Sequence, residues 1–269
     1  MDPIKNMGQQ PVVGESRQIR TLMAFSLLCF ACGCAGLGEY NPATGRNEVV
    51  FLSTQEEVAL GKQSHTEFMQ EMKLSKDPLL LEQINRIGPK IAAVSDRQDY
   101  TYQFYIVEGD DLNAFTTPGG NIYVYTGLVH AMQTDDRIAG VVAHEIGHCA
   151  AKHVAKKFQK ALGYNIIYAI ALSASGDNRQ LVELGAGTLM SLAMSAYSRK
   201  DEYEADILGV KYTTLAGFDP KGLIESFEIL KAKEKGPKVP TLLSTHPHTD
   251  DRINALKEEV ALAPYKYRR

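Results

Sequence analysis

The string His144-Glu145-Ile146-Gly147-His148 constrains this chain more than any other, because it calls for a helix. Four residues of α-helix turn through about 400°, so the two histidines leave one face a turn apart and can grip a single cation. Glu145 then stands beside that cation, where a carboxylate can take a proton from a water that the cation activates. The flanks agree: Ile138, Val141 and Val142 are apolar, and Asp135 and Asp136 suit a helix N-terminus. The pattern predicts a helix from about Asp135 to Lys157.

A catalytic zinc takes three protein ligands and keeps one position for water. The metzincin extension would need glycine at 151 and histidine at 154, and Ala151 and Val154 stand there, so that completion is excluded. His153 is five residues past His148 and about 140° round an unbroken helix from it, which makes it a surface or packing residue. Downstream, Ser198-Arg199-Lys200-Asp201-Glu202-Tyr203-Glu204-Ala205-Asp206 sets Glu202 and Asp206 four apart on one helix face. Glu202 can ligate zinc while Asp206 accepts the N–H of a ligating imidazole. By spacing alone, the pair reads equally well as a solvated acidic face.

The rest of the chain frames this site. Its 269 residues are 44% hydrophobic and 23% charged, enough for a sizeable core. A net charge of −3 without a basic block gives no reason to expect a nucleic-acid partner. Cys29, Cys32 and Cys34 cluster early and Cys149 lies alone, so neither a disulfide framework nor a zinc ribbon is expected. Cys149, a step of about 100° beyond His148, reads as a small core residue.

Arg17, Arg20 and the apolar run Leu22 to Cys32 form an export-type leader over 1–34, too short for a confident span. Ala31-Cys32-Gly33-Cys34 resembles a bacterial lipoprotein cleavage site, apart from Ala31, where a larger aliphatic is usual. Lipidation of Cys34 leads over ordinary cleavage or a retained anchor. A turn-rich tether is expected over 35–47 and the folded domain over 48–269.

Within the domain, Ser53-Thr54-Gln55-Glu56 reads as a capping box opening a helix to Met72, and 78–95 as a second helix. Strands are expected at 102–107, 112–116 and 121–126, with a turn at 117–120. Helices follow at 161–173, 179–200 running into 201–216, 220–233 and from 250. The apolar stretches 161–174 and 181–196 read as buried or membrane-touching helices rather than spans. The sum is an α+β domain, mostly helical, with one small sheet.

His144-Glu145-x-x-His148 followed by Ser198-Arg199-x-x-Glu202-x-x-Ala205-Asp206 resembles metallopeptidase family forty-eight, the HtpX, OMA and CAAX-prenyl-protease group. Asn41-Pro42-x-Thr44-Gly45-Arg46, Leu60-Gly61-Lys62-Gln63, Asn113-Ala114-Phe115-x-x-Pro118-Gly119-Gly120 and Ser244-Thr245-His246-Pro247-His248 extend the likeness over about 41–255. Stand-alone exported lipoprotein members are the most similar, and relatives with a helical-repeat domain less so.

The resemblance implies a zincin-like fold of gluzincin type and one Zn2+ per chain on His144, His148 and Glu202, with Glu145 as general base. It also implies a role for Asn113, Ala114 and Phe115 as an edge strand that pairs with extended peptide, although by itself the segment reads as a plain strand. His246 matches a position that approaches the zinc in relatives, either to stabilise an oxyanion or to latch the open coordination position. His248 is a weaker candidate. The expected partners are misfolded or unassembled envelope polypeptides and, through a lipid on Cys34, the outer membrane facing the periplasm. The rival expectation is an assembly factor or chaperone with latent proteolysis.

Overall fold

A computed structural model describes residues 38–163, 166, 167, 169, 187–234, 239–247 and 250–267. The leader over 1–34, parts of the two apolar stretches and His248 lie outside them. No helix among the described residues is long and apolar enough to cross a membrane.

A short ribbon opens the described chain, β1 (Glu39–Asn41) with β2 (Arg46–Glu48), followed by α1 (Thr54–Glu71) and α2 (Pro78–Ala92). Ser53 and Glu56 close a capping box on α1, and Asp77 caps α2 ahead of Pro78. Next come β3 (Gln103–Val107), β4 (Ala114–Thr117), β5 (Asn121–Tyr125) and α3 (Thr126–Met132). The remaining helices are α4 (Asp135–Ala150), α5 (His153–Leu162), α6 (Thr188–Ala193), α7 (Arg199–Ala216), α8 (Lys221–Glu234), α9 (Thr241–Thr245) and α10 (Asp250–Lys266). The architecture is α+β and mostly helical, as expected, with the ribbon as a second, smaller sheet.

The three-stranded sheet has the order β3-β5-β4, with β3 parallel and β4 antiparallel to β5. Side chains alternate across it with the period of two. Ile106, Ala114, Ile122 and Val124 join a core with Ile84 and Ile91 of α2 and Ile138, Val142 and Ile146 of α4. Val107, Phe115 and Tyr123 face the other way, against Leu60 and Phe68 of α1 and Phe158 of α5. Phe115 stacks on Tyr123 at 4.7 Å and Phe68 meets both rings edge-on. A third cluster joins Val210 of α7, Phe227 of α8 and Leu256 of α10.

The structure corrects three boundaries. The motif helix does not run to Lys157. It ends at Ala150, because Lys152 takes a left-handed φ of 57° and a new helix starts at His153. Helix 179–216 is not continuous either, since α6 ends at Ala193 and Ser198 caps α7 through Asp201. Lastly, part of the expected tether is built into the fold: Asn41 is buried and its Nδ2 donates to the Ala150 carbonyl at 2.9 Å, satisfying the end of α4.

Every residue of α4 from Ile138 to Ala150 is buried, so its neighbours must approach closely. A methyl at Gly140 would lie 2.7 Å from the backbone of Leu223, and one at Gly222 would lie 2.2 Å from the Asp136 carbonyl oxygen. Neither backbone can yield without moving α8 off α4. Gly140→Ala is expected to destabilise the fold by about 1–3 kcal/mol in chemical unfolding, the range for overpacking a close contact; an unchanged midpoint would refute this packing.

Candidate metal centre

Helix α4 sets His144 and His148 on one face, their Nε2 atoms 3.1 Å apart. Helix α7 crosses that face at Gly147, where an added methyl would sit 2.9 Å from the Ala205 carbonyl oxygen. The close crossing lets Glu202 reach over, with Oε1 3.4 Å from His148 Nε2 and Oε2 3.6 Å from His144 Nε2. His246, at the end of α9, brings Nδ1 to 3.2 Å from His144 Nε2 and 3.0 Å from Glu202 Oε1. One ligand atom from each of these four residues lies within 4.8 Å of the others, and all four are buried.

Proton placement makes this a cation site. His144 Nδ1 lies 3.0 Å from Asp206 Oδ1, and a carboxylate there calls for the N–H. His148 Nδ1 likewise points away from the cluster, to His153 at 3.0 Å. With protons outward, both Nε2 atoms present lone pairs to each other at 3.1 Å, alongside a carboxylate. A proton on His144 relieves that crowding in the metal-free protein and a bound cation would take its place; two imidazoles with one carboxylate suit zinc. Glu145 is fully buried, and neither carboxylate oxygen has a hydrogen-bond partner. Its Oε1 is 3.4 Å from His246 Nε2.

The electrostatics fit. Burial works against the Glu202 carboxylate, yet His246, His144 and His148 hold its pKa far below the ordinary value. Burial drives His148 well below the usual imidazole range, so it stays neutral, the form that ligates. Burial also opposes charge on His144, but Asp206 and Glu202 outweigh it and raise its pKa to about 9. Cation binding at neutral pH must therefore displace a proton.

Several neighbours escaped the sequence reading. Arg252 of α10 is wholly buried: its Nε and Nη2 donate to the two Asp206 oxygens at 2.8 Å each, and its Nη1 lies 2.7 Å from Glu202 Oε2. Its signal was a lone arginine six residues past His246. Tyr197 stacks on His148, ring centroids 3.9 Å apart, with its hydroxyl buried and unpartnered. Lys157 lies 3.8 Å from the Tyr197 ring centroid and donates to the Ala193 and Ser195 carbonyls, and burial lowers its pKa to about 8. His153, expected at the surface or in packing, is buried against His148, because the Lys152 break swings it back. Cys149 is buried, as expected, and burial raises its thiol to about 12.

The Asn113 to Phe115 segment lies at or beside an edge of the three-stranded sheet, but it is not an open edge. All three residues are buried. Asn113 Nδ2 donates to Met194 Sδ, Ala114 packs in the α4 core and Phe115 in the α1 core. Met194, just past α6, packs against the segment.

The sequence profile of peptidase family M48 matches residues 78–260, which include all four clustered residues and Glu145. The chain belongs to peptidase family M48. M48 relatives include the beta-barrel assembly-enhancing protease of Yersinia pestis, 27% identical over 222 residues, which are 79% of this chain and 46% of that protein. The mitochondrial metalloendopeptidase OMA1 of Schizosaccharomyces pombe is 31% identical over 236 residues, 85% of this chain and 68% of the relative. Metalloprotease LoiP of Escherichia coli is 34% identical over 165 residues, 61% and 64% of the two chains. The match thus spans about half the length of the first relative and about two thirds of the other two. The zincin-like α+β fold anticipated from sequence is that of an M48 domain.

Removing Arg252 leaves two carboxylates buried beside each other. Arg252→Met is expected to destabilise the metal-free protein by about 3–5 kcal/mol in denaturant, as for other broken buried pairs. Burial alone would raise the Asp206 pKa, but Arg252 and His144 hold it below 3.8. Its stabilising contribution is therefore complete above that value and lost as pH falls through the depressed pKa. Acid unfolding of the variant should begin at higher pH than in wild type, and an unshifted acid limb would contradict the assignment.

Proposed function

We propose that this protein is a zinc-dependent endopeptidase of the bacterial cell envelope, cutting misfolded or unassembled polypeptides. The observation that carries the reading is the convergence of His144 Nε2, His148 Nε2 and the Glu202 carboxylate beside the buried carboxylate of Glu145, which accepts no hydrogen bond. His144, His148 and Glu202 would hold one zinc, and Asp206 would keep the His144 proton on Nδ1. Bound zinc would supply Lewis acidity at the scissile carbonyl and lower the pKa of the attacking water. Glu145 takes the proton from that water and returns one to the departing amine. Its lack of competing hydrogen bonds leaves both oxygens available for this transfer.

Substrate class and location rest on lesser support. The family resemblance gives segment 113–115 a peptide-pairing role, which would favour unfolded clients once the buried strand is uncovered. Two relatives carry names that refer to beta-barrel assembly and to mitochondrial endopeptidase activity. The sequence of the leader supports export, with a lipid on Cys34 holding the domain at the outer membrane. A second reading, an assembly factor with latent proteolysis, draws on two observations: the strand is covered, and His246 sits within ligand distance of the other three residues. In that reading His246 is a latch on the open coordination position, the alternative to oxyanion stabilisation.

Unfolded and folded envelope proteins incubated with the purified protein, with and without chelator, test the reading. Cleavage of the unfolded forms that stops with chelator is expected, and chelator-resistant cleavage would sink it. Glu145→Gln should keep one zinc per chain by atomic absorption yet lose about 10²–10⁴-fold in rate. His246→Ala should raise the rate if the side chain is a latch; a fall would assign it to oxyanion stabilisation.

A further inference from the structure

The outward nitrogen of His148 begins a line of polar contacts that the zinc site itself does not require. His148 Nδ1 is 3.0 Å from His153 Nδ1, and His153 Nε2 is 3.0 Å from Glu204 Oε2. Asp201 Oδ1 lies further off, 3.5 Å from the same His153 nitrogen. Glu204 Oε1 in turn pairs with Arg46 Nη2 at 2.7 Å, beside β2 of the N-terminal ribbon. His148 and His153 are both closed to solvent, and Arg46 lies at the surface end.

With both imidazoles neutral, one arrangement of protons satisfies this line. Two imidazole nitrogens 3.0 Å apart can share one proton, not two. Glu204, a carboxylate paired with the Arg46 guanidinium, accepts only. His153 must therefore carry its proton on Nε2 and offer a lone pair on Nδ1. That lone pair takes the proton of His148 Nδ1, and Nε2 of His148 is left bare toward Glu202 and His144. Tyr197, stacked on the His148 face, fixes the ring plane as the line fixes its edge. The cost of the device is visible in the backbone, where non-glycine Lys152 adopts the left-handed conformation that turns His153 inward.

We infer that His153 and Glu204 are positioning residues that lock His148 in the tautomer presenting Nε2 to the metal, with Arg46 anchoring the line from the N-terminal ribbon. The inference rests on the proposed ligand role of His148. Partners that orient a ligating imidazole change metal affinity by about 10–100-fold when removed.

Zinc dissociation constants measured by competition with a chromophoric chelator test the inference, alongside thermal unfolding of the metal-free proteins. His153→Phe and Glu204→Ala should each weaken zinc binding about 10–100-fold. Glu204→Gln, which keeps an acceptor oxygen, should recover most of the affinity. A Kd within twofold of wild type for His153→Phe overturns the inference and leaves the zinc assignment standing. Wild type that binds no zinc overturns both. Should His153→Phe fail to fold, long-range 1H–15N spectra of zinc-loaded wild type give the decision without a variant. Protons on His148 Nδ1 and His153 Nε2 support the line, and a proton on His153 Nδ1 overturns it.

Discussion

The close crossing of α4 and α7 is the contact on which the rest depends. Gly147 sits inside the histidine motif, yet it ligates nothing; it removes the side chain that would hold α7 away. Gly209, two turns along α7 from Glu202, adds a looser contact: a methyl there would meet the Leu223 side chain at 3.2 Å and the His144 backbone at 3.4 Å. Two helices packed at backbone distance bring carboxylates of one within reach of imidazoles of the other without long, mobile side chains. The geometry is therefore set by helix packing, which is stiff, rather than by loops.

Burying so much charge requires compensation. Glu202 and Asp206 are buried carboxylates, and Arg252 is their principal fixed counter-charge. The arginine fork matches both oxygens of Asp206 and still reaches Glu202, so one side chain from α10 ties the C-terminal helix to the site. Divalent charge beside Glu202 would complete the balance that Arg252 begins. This explains why C-terminal residues remote from the histidine motif belong to the same functional unit.

Much of this was legible in the sequence, and the limits have physical causes. The motif helix, the Ser53–Glu56 capping box and the three strands announce themselves through local chemistry: acids at helix starts, alternation in strands, Gly-rich turns. The pairing of Glu202 with the histidines needed the family resemblance, because i, i+4 acids also decorate solvated helices. The break at Ala151-Lys152 was invisible. No glycine or proline marks it, and the strain at Lys152 is tolerated only because tertiary contacts reward it. That one unreadable φ angle explains why His153 was expected elsewhere. The covering of Asn113 to Phe115 was equally hidden, since it depends on a distant segment.

The buried Asn41 changes where this enzyme domain begins. By sequence the fold starts near 48 and everything before it is leash. In the structure the ribbon finishes the very helix that carries the histidines, through an amide that meets the Ala150 carbonyl. A fragment trimmed to residue 48 would lose that closure along with Arg46.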